Sequence, residues 1–178
     1  MNNNQKQKIL EEAYAKGFKY EKNMHGCAQS AILAVKNFFV IDDIVFKSAN
    51  SLSGGISEGS KGSCGAFLAG AIIFSYFFGR DITSTDLSGS NFRDKNLTNK
   101  LRKKFHDKYK AEICSEIQKN IFGCSFNMLT KEGKKKMNKA GAHKDKCTSV
   151  VGNASKWIVE ILIDENIPLK DNYQTPEL

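Results

Sequence analysis

Apolar residues recur at helical spacing along most of this chain, and one stretch of them is unbroken. Residues Gly62 to Gly79 read GSCGAFLAGAIIFSYFFG, and no charge occurs from Cys64 until Arg80. The run is shorter than the roughly 20 apolar residues that span a bilayer, so it predicts a buried core helix over about 64–79. Its small residues let neighbouring backbones come close, while Phe67, Leu68, Ile72, Ile73, Phe74 and Phe77 fill the space between.

The other elements follow from the same spacing. Ile9, Leu10, Ala13, Tyr14 and Phe18 predict a first helix over Lys6–Phe18, ending near Lys19, with a turn over Glu21–Gly26. Cys27 opens a second, largely buried helix, CAQSAILAVKNFF, and Asp42 is placed to cap a short third one. Residues 51–63 are rich in glycine and predict a loop that wraps whatever Cys64 does. An exposed connection over Asp81–Asn96 leads to an amphipathic helix from about Leu97 to Lys110. Glu112–Phe122 predicts a short helix closed by Gly123, residues 124–146 a flexible basic loop, and Cys147 a last helix with a wide apolar face. The polar tail 170–178 is expected to fray. No segment alternates with period two. The expected fold is all-α: one domain over 1–178, a multi-helix bundle around the apolar helix 64–79.

Composition narrows the functional classes. A hydrophobic share of 40% in 178 residues suffices for a real core. The opening MNNNQKQKILEEAY is polar and then amphipathic, unlike a secretory leader, so a soluble cytoplasmic protein with no membrane role is expected. The net charge of +8 raises the question of nucleic acid. Lys100–Lys110 carries its lysines on the polar side of a helix, and Lys131–Lys139 lacks interleaved aromatics, so nucleic acid is not the expected partner. An acidic protein partner or a lysine-rich proteome explains the charge equally well, and the partners expected are a protein redox partner and, as an open alternative, a second copy of this chain in a homo-oligomer. Walker, Rossmann and nucleophile-elbow motifs are all missing.

The candidate chemistry lies in the cysteines. Five in a chain of this type point to metal binding or redox chemistry over a structural disulfide framework. Cys27, Cys64, Cys114 and Cys147 each fall in the first turn of a predicted helix, where unpaired N–H groups favour a thiolate. Four such helix starts facing one place suit a thiolate-ligated centre, with Gly62 and Gly65 beside Cys64 as the expected backbone contacts to the cofactor. The intervals of 37, 50 and 33 residues match no compact ferredoxin or zinc-ribbon spacing, and no CxxC occurs. Cys124, after Gly123 at a helix end, is the odd thiol out and a candidate resolving cysteine. His25 is expected in an exposed turn, His106 and His143 in solvent, and Glu58 carries no assigned role.

Cys27, then Cys64-Gly65-Ala66-Phe67-Leu68-Ala69-Gly70 read as a CGAxxG element, then Cys114 and Cys147 resemble the redox-active C_GCAxxG_C_C family. Cys27-Ala28-Gln29 before an alanine-rich helix and Val150-Val151 with Ala154 after the last cysteine extend the resemblance over roughly residues 9 to 163. A related domain occurs in split-Soret cytochrome c, which is associated with an iron–sulfur centre, so the resemblance implies a cluster on the four cysteines. This chain has no CxxCH, and the haem attachment of that protein does not carry over. The expected function is an electron-transfer protein with an iron–sulfur cluster and a protein redox partner. The alternatives are a metal-free thiol–disulfide protein and a four-cysteine site for zinc or another soft metal.

Overall fold

The structure is a computed structural model describing residues 1–83, 92–171 and 173. Among the described residues eight α-helices run in chain order: α1 Asn3–Met24, α2 Cys27–Lys36, α3 Asp43–Ser48, α4 Gly65–Phe78, α5 Arg93–Tyr109, α6 Cys114–Phe122, α7 Lys131–Lys139 and α8 Cys147–Asp164. A 3-10 turn, Asn50–Leu52, follows α3, and a π-helical turn, Ala142–Lys146, runs into α8. The only β-type pairing among the described residues is an isolated bridge between Ser63 and Ile113. The fold is all-α, as the missing alternation predicts, and no described helix is long and apolar enough to cross a membrane.

Helix α1 is longer than its apolar stripe. Asn2 and Gln5 form a reciprocal capping box that starts it early, and His25 in the left-handed conformation ends it with an N–H donated to the Glu21 carbonyl. The expected turn over 21–26 therefore shrinks to two residues, and Glu21 stays on the buried side of the helix. The second helix stops at Lys36, short of Phe38 and Phe39, which nevertheless enter the core. Asp42 precedes α3 without capping it; its carboxylate accepts from the Tyr76 hydroxyl.

One core joins α1, α2, α4, α5 and α8. Central position is shared: α4 packs on α2, α5 and α8, while α8 also meets α1, α2 and α5. The apolar face of α8 is broad enough to bury residues on several sides, from Val150 through Leu162. Its contact with α1 is the most extensive in the bundle. A Cβ on Gly17 would lie 2.3 Å from Ser155 Oγ and 2.9 Å from the Val151 carbonyl. One on Gly152 would lie 2.9 Å from the Tyr14 ring.

Residues 124–146, expected as a loop, contain α7 and the π-helical turn. Thr130 caps α7 by accepting from the Gly133 N–H, lysines are good helix formers, and Gly133 and Met137 face inward. Met128, Met137 and Ala142 form a small second core against Cys114, Phe122, Phe126 and Cys147. The basic helix α5 begins at Arg93, four residues before the expected start. The connection before it lies outside the described residues over 84–91. Of the tail, Lys170 and Tyr173 are docked: the Lys170 N–H donates to the Phe38 carbonyl, and the Tyr173 hydroxyl donates to Glu12.

The α1–α8 contact gives a direct test. Gly17→Ala overpacks a backbone contact and should cost about 1–3 kcal/mol. Thermal unfolding should then start roughly 2–4 °C lower for each kcal/mol lost. An unchanged melting temperature would show that the two helices do not hold this separation.

Candidate functional site

Each of the four expected cysteines stands at a helix start. Cys27, Cys114 and Cys147 are the first residues of α2, α6 and α8, and Cys64 is the N-cap of α4. Short backbone pairings bring these starts together. The Cys64 N–H donates to the Glu112 carbonyl at 2.7 Å, the Cys114 N–H to Gly62 at 3.0 Å, and the Ser115 N–H to Ser60 at 2.8 Å. Residues 60–64 thus lie along 112–115 and carry Cys64 next to Cys114. The approach of α2 to α4 is equally close, since a Cβ on Gly65 would sit 2.5 Å from Cys27 Sγ. All four thiols line one cavity of about 210 Å³. Its apolar walls include Ile117, Ile121, Met128, Met137, Val150 and Val151.

The glycine-rich loop wraps this cavity in an unusual conformation. Five consecutive residues, Gly54, Gly55, Ile56, Ser57 and Glu58, have φ between 48° and 74°, and Ser60 repeats it at 61°. Left-handed backbone costs non-glycine residues roughly 1–2 kcal/mol each, and a β-branched residue there is an outlier. Backbone hydrogen bonds hold the run in place: Ser57 N–H to Ser51, Glu58 N–H to Ser53, Ser60 N–H to Gly54 and Gly62 N–H to Gly55. At Gly55 a Cβ would lie 2.8 Å from the Cβ of Cys114, so φ and space both require glycine.

The thiols differ sharply in their electrostatics. Cys27 is held below the ordinary thiol range chiefly by the Cys64 thiol beside it; burial opposes this, and the Gly54 N–H, Ser53 hydroxyl and Gly65 N–H add to it. Cys64, 7% exposed, is pushed well up by that partner and by burial, and the Ala66 N–H offsets part of the rise. Burial and the charge of Cys27 push Cys114 up to about 11, while the Gln118 side-chain amide donates to its sulfur at 3.4 Å. Cys147 is raised by burial and then by Glu21. The resting site therefore favours one thiolate, on Cys27.

Sequence reasoning missed a polar corner of the cavity. Glu21 is 3% exposed, its Oε2 has no hydrogen-bond partner, and burial first and Cys27 second raise its pKa well above the carboxylate range. Its Oε1 lies 3.6 Å from Nδ1 of His143, whose ring stacks on His25 at 3.7 Å between centroids. His143, expected in solvent, is half-buried, and its pKa falls to about 4 through burial and then His25. His25 is exposed as expected but also lines the cavity. His106 stays on the surface, bonded to Glu112. Glu58 reaches the cavity mouth and pairs with Lys134 of α7.

Two expectations change. The Gly62 N–H donates to Gly55, so Gly62 holds the loop and the donors to sulfur come from Gly54, Gly65 and Ala66. The α4 motif has Ala69 where CGAxxG requires glycine, with Gly70 one place later. Gly70 has its own reason, since a Cβ there would meet Leu101 at 2.2 Å. Cys124 is exposed and does not line the cavity.

Among the described residues no three Cys, His, Asp or Glu side chains stand close enough to hold a single ion. A tetrahedral zinc with Zn–S bonds near 2.3 Å would need its sulfurs within about 4 Å of one another. A cluster spreads its thiolates over more than one iron. Four thiols around one cavity, two of them adjacent and with N–H donors behind them, fit that wider arrangement.

No curated protein and no solved structure matches this chain. A family model does, over residues 25–161, an interval that takes in all four cavity cysteines, α2, α4 and α6 whole, and most of α8. The chain belongs to the family described as "Putative redox-active protein (C_GCAxxG_C_C)".

Proposed function

We propose that Cys27, Cys64, Cys114 and Cys147 hold an iron–sulfur cluster in this cavity and that the protein transfers electrons through it. The observation that carries this reading is one cavity of about 210 Å³ into which four helix starts each deliver a thiol. When bound, the cluster would supply one-electron chemistry. The chain's own groups supply the setting. The N–H groups of Gly54, Gly65 and Ala66, and the Gln118 amide, point at cysteine sulfurs and stabilise their negative charge. The helix N-termini add partial positive charge on the same side. Ile117, Ile121, Val150 and Val151 exclude water, and the π-helical turn fixes where α8 begins.

One observation favours a second reading, in which the site works without metal. Cys27 is lowered by an adjacent Cys64 that keeps its proton, the arrangement of an attacking thiolate and its resolving partner. In that case Cys27 attacks a disulfide substrate and releases one thiolate. Cys64 then closes the Cys27–Cys64 disulfide, loses its proton and releases the second thiol.

Anaerobic purification separates the two readings. A cluster protein is brown and contains iron and acid-labile sulfide; Cys64→Ser should lose most of both, and Cys124→Ser should lose little. Equal losses from the two substitutions would contradict the four-cysteine assignment. Colourless, iron-free protein with a reversible Cys27–Cys64 disulfide by peptide mapping would establish the second reading in its place.

Gly65→Ala sets a methyl group against Cys27 Sγ and should deplete iron at unchanged helicity, because the displaced sulfur loses its place in the ligand set. Full iron content in that variant would show that Cys27 can shift freely. In the reduced, metal-free protein the thiolate is the reactive form, so alkylation rises as pH passes each pKa. Iodoacetamide should label Cys27 at a pH below the ordinary thiol midpoint of about 8.5, with Cys114 requiring a pH near 11. Mass spectrometry of a pH series checks the order, and simultaneous labelling would refute the assigned asymmetry.

A further inference from the structure

The two basic helices of this protein use their charge differently. On α5, Arg93 and Lys100 pair with Glu165, Arg102 pairs with Glu112, and Lys104 pairs with Glu160. Those cations tie the helix to its neighbours, while Lys103 and Lys108 on the same helix are exposed and pair with no acidic side chain among the described residues. Residues 131–146 carry seven lysines against two acidic residues, Glu132 and Asp145. Lys134 pairs with Glu58 and Lys136 with Glu132. Among the described residues no acidic side chain pairs with Lys131, Lys135, Lys139 or Lys144, and all four are exposed.

The position of this unneutralised patch matters as much as its charge. Helix α7 is a wall of the cysteine cavity: Lys134, Met137 and Asn138 line it from inside, and Gly133 and Met137 are buried. The lysines on the outer side are thus about one helix diameter, some 10 Å, from the space the four thiols surround. We propose that this outer face of α7 docks an acidic one-electron carrier protein, an inference that rests on the cavity holding a redox centre. A reduced carrier seated there gives up one electron and becomes oxidised, and the oxidised centre takes that electron and becomes reduced. No bond forms and no proton need move. Complementary charge steers the encounter and fixes orientation, so the effect falls with added salt. Nucleic acid, the other polyanion, is disfavoured because no exposed aromatic side chain lies among these lysines.

The test uses the full-length protein and two acidic probes, a [2Fe–2S] ferredoxin and a flavodoxin. Calorimetric titration at low salt should give binding of at least one probe that weakens steeply as salt is added. The double substitution Lys135→Glu with Lys139→Glu should raise that Kd about tenfold or more, against a small change for Lys103→Glu with Lys108→Glu on the α5 surface. Both variants change net charge by the same amount, so only location distinguishes them. Reduction by dithionite, a small reagent that needs no docking face, should be equal in the wild type and both variants. Equal loss of binding in both variants, no binding of either probe, or an α7-dependent affinity for duplex DNA in place of the carriers overturns the proposal. Protein that contains no dithionite-reducible centre yet keeps the Lys135/Lys139 dependence retains the docking face and loses the electron-transfer reading.

Discussion

Four sulfurs in one apolar cavity repel one another as soon as more than one of them ionises, and much of the architecture relates to that repulsion. Cys64 is raised by Cys27, by burial and by Cys114, and Cys147 by burial first, then by Glu21, Cys27 and Cys114. Among the described residues Lys134 is the only lysine or arginine lining the cavity, and it pairs with Glu58. Relief must come from dipoles, and the fold provides them as four helix N-termini with the Gly54, Gly65 and Ala66 N–H groups behind. Together with the Cys64 thiol, which is the larger cause, these dipoles favour a thiolate on Cys27. Ionising a second thiol is opposed by burial and by the charge of Cys27, and the cluster proposed above would supply positive charge that offsets both.

The left-handed turn over 54–58 belongs to the same problem. Three non-glycine residues in that conformation cost several kcal/mol by usual magnitudes, and such strain persists only where the surroundings over-determine it. Here the surroundings are identifiable. The run is bonded back to Ser51 and Ser53, and residues 60–64 are zipped to 112–115. The loop turns the Gly54 N–H toward Cys27 and sets Gly55 against Cys114, serving thiols from two different helices at once. An ordinary right-handed turn would bury these amides in its own hydrogen bonds.

How much of this could be read from the residues depended on whether local chemistry or tertiary packing decided each element. The helix starts at Cys27, Cys64, Cys114 and Cys147 were legible because apolar periodicity begins there, and Gly26 and Gly62-Ser63 mark the approach to the first two. The α7 helix was not, because Gly133 and Met137 are its only buried residues and the lysines mask that narrow stripe. Ile56, Ser57 and Glu58 gave no sign of positive φ, since their side chains disfavour it and only the zipped backbone imposes it. Glu21 and His143 looked like solvent residues in their local sequence. They became cavity residues because α1 runs on to Met24 and the π-helical turn carries His143 back against it.

The polar corner also shows how the cavity limits its own charge. Burial favours the neutral forms of both groups, raising Glu21 and lowering His143, so a potentially ionic pair adds little field beside Cys27 and Cys147. An ionised Glu21 would add to the repulsion that already raises Cys147. Its proton and the four thiols are therefore coupled through space: negative charge accumulating on the sulfurs makes Glu21 harder to ionise, and compensating it makes ionisation easier. Inside, the cavity keeps a single thiolate among neutral groups; outside, α7 carries the unneutralised lysines. That division sets exposed lysines without acidic partners on the outer side of a wall of the sulfur cavity.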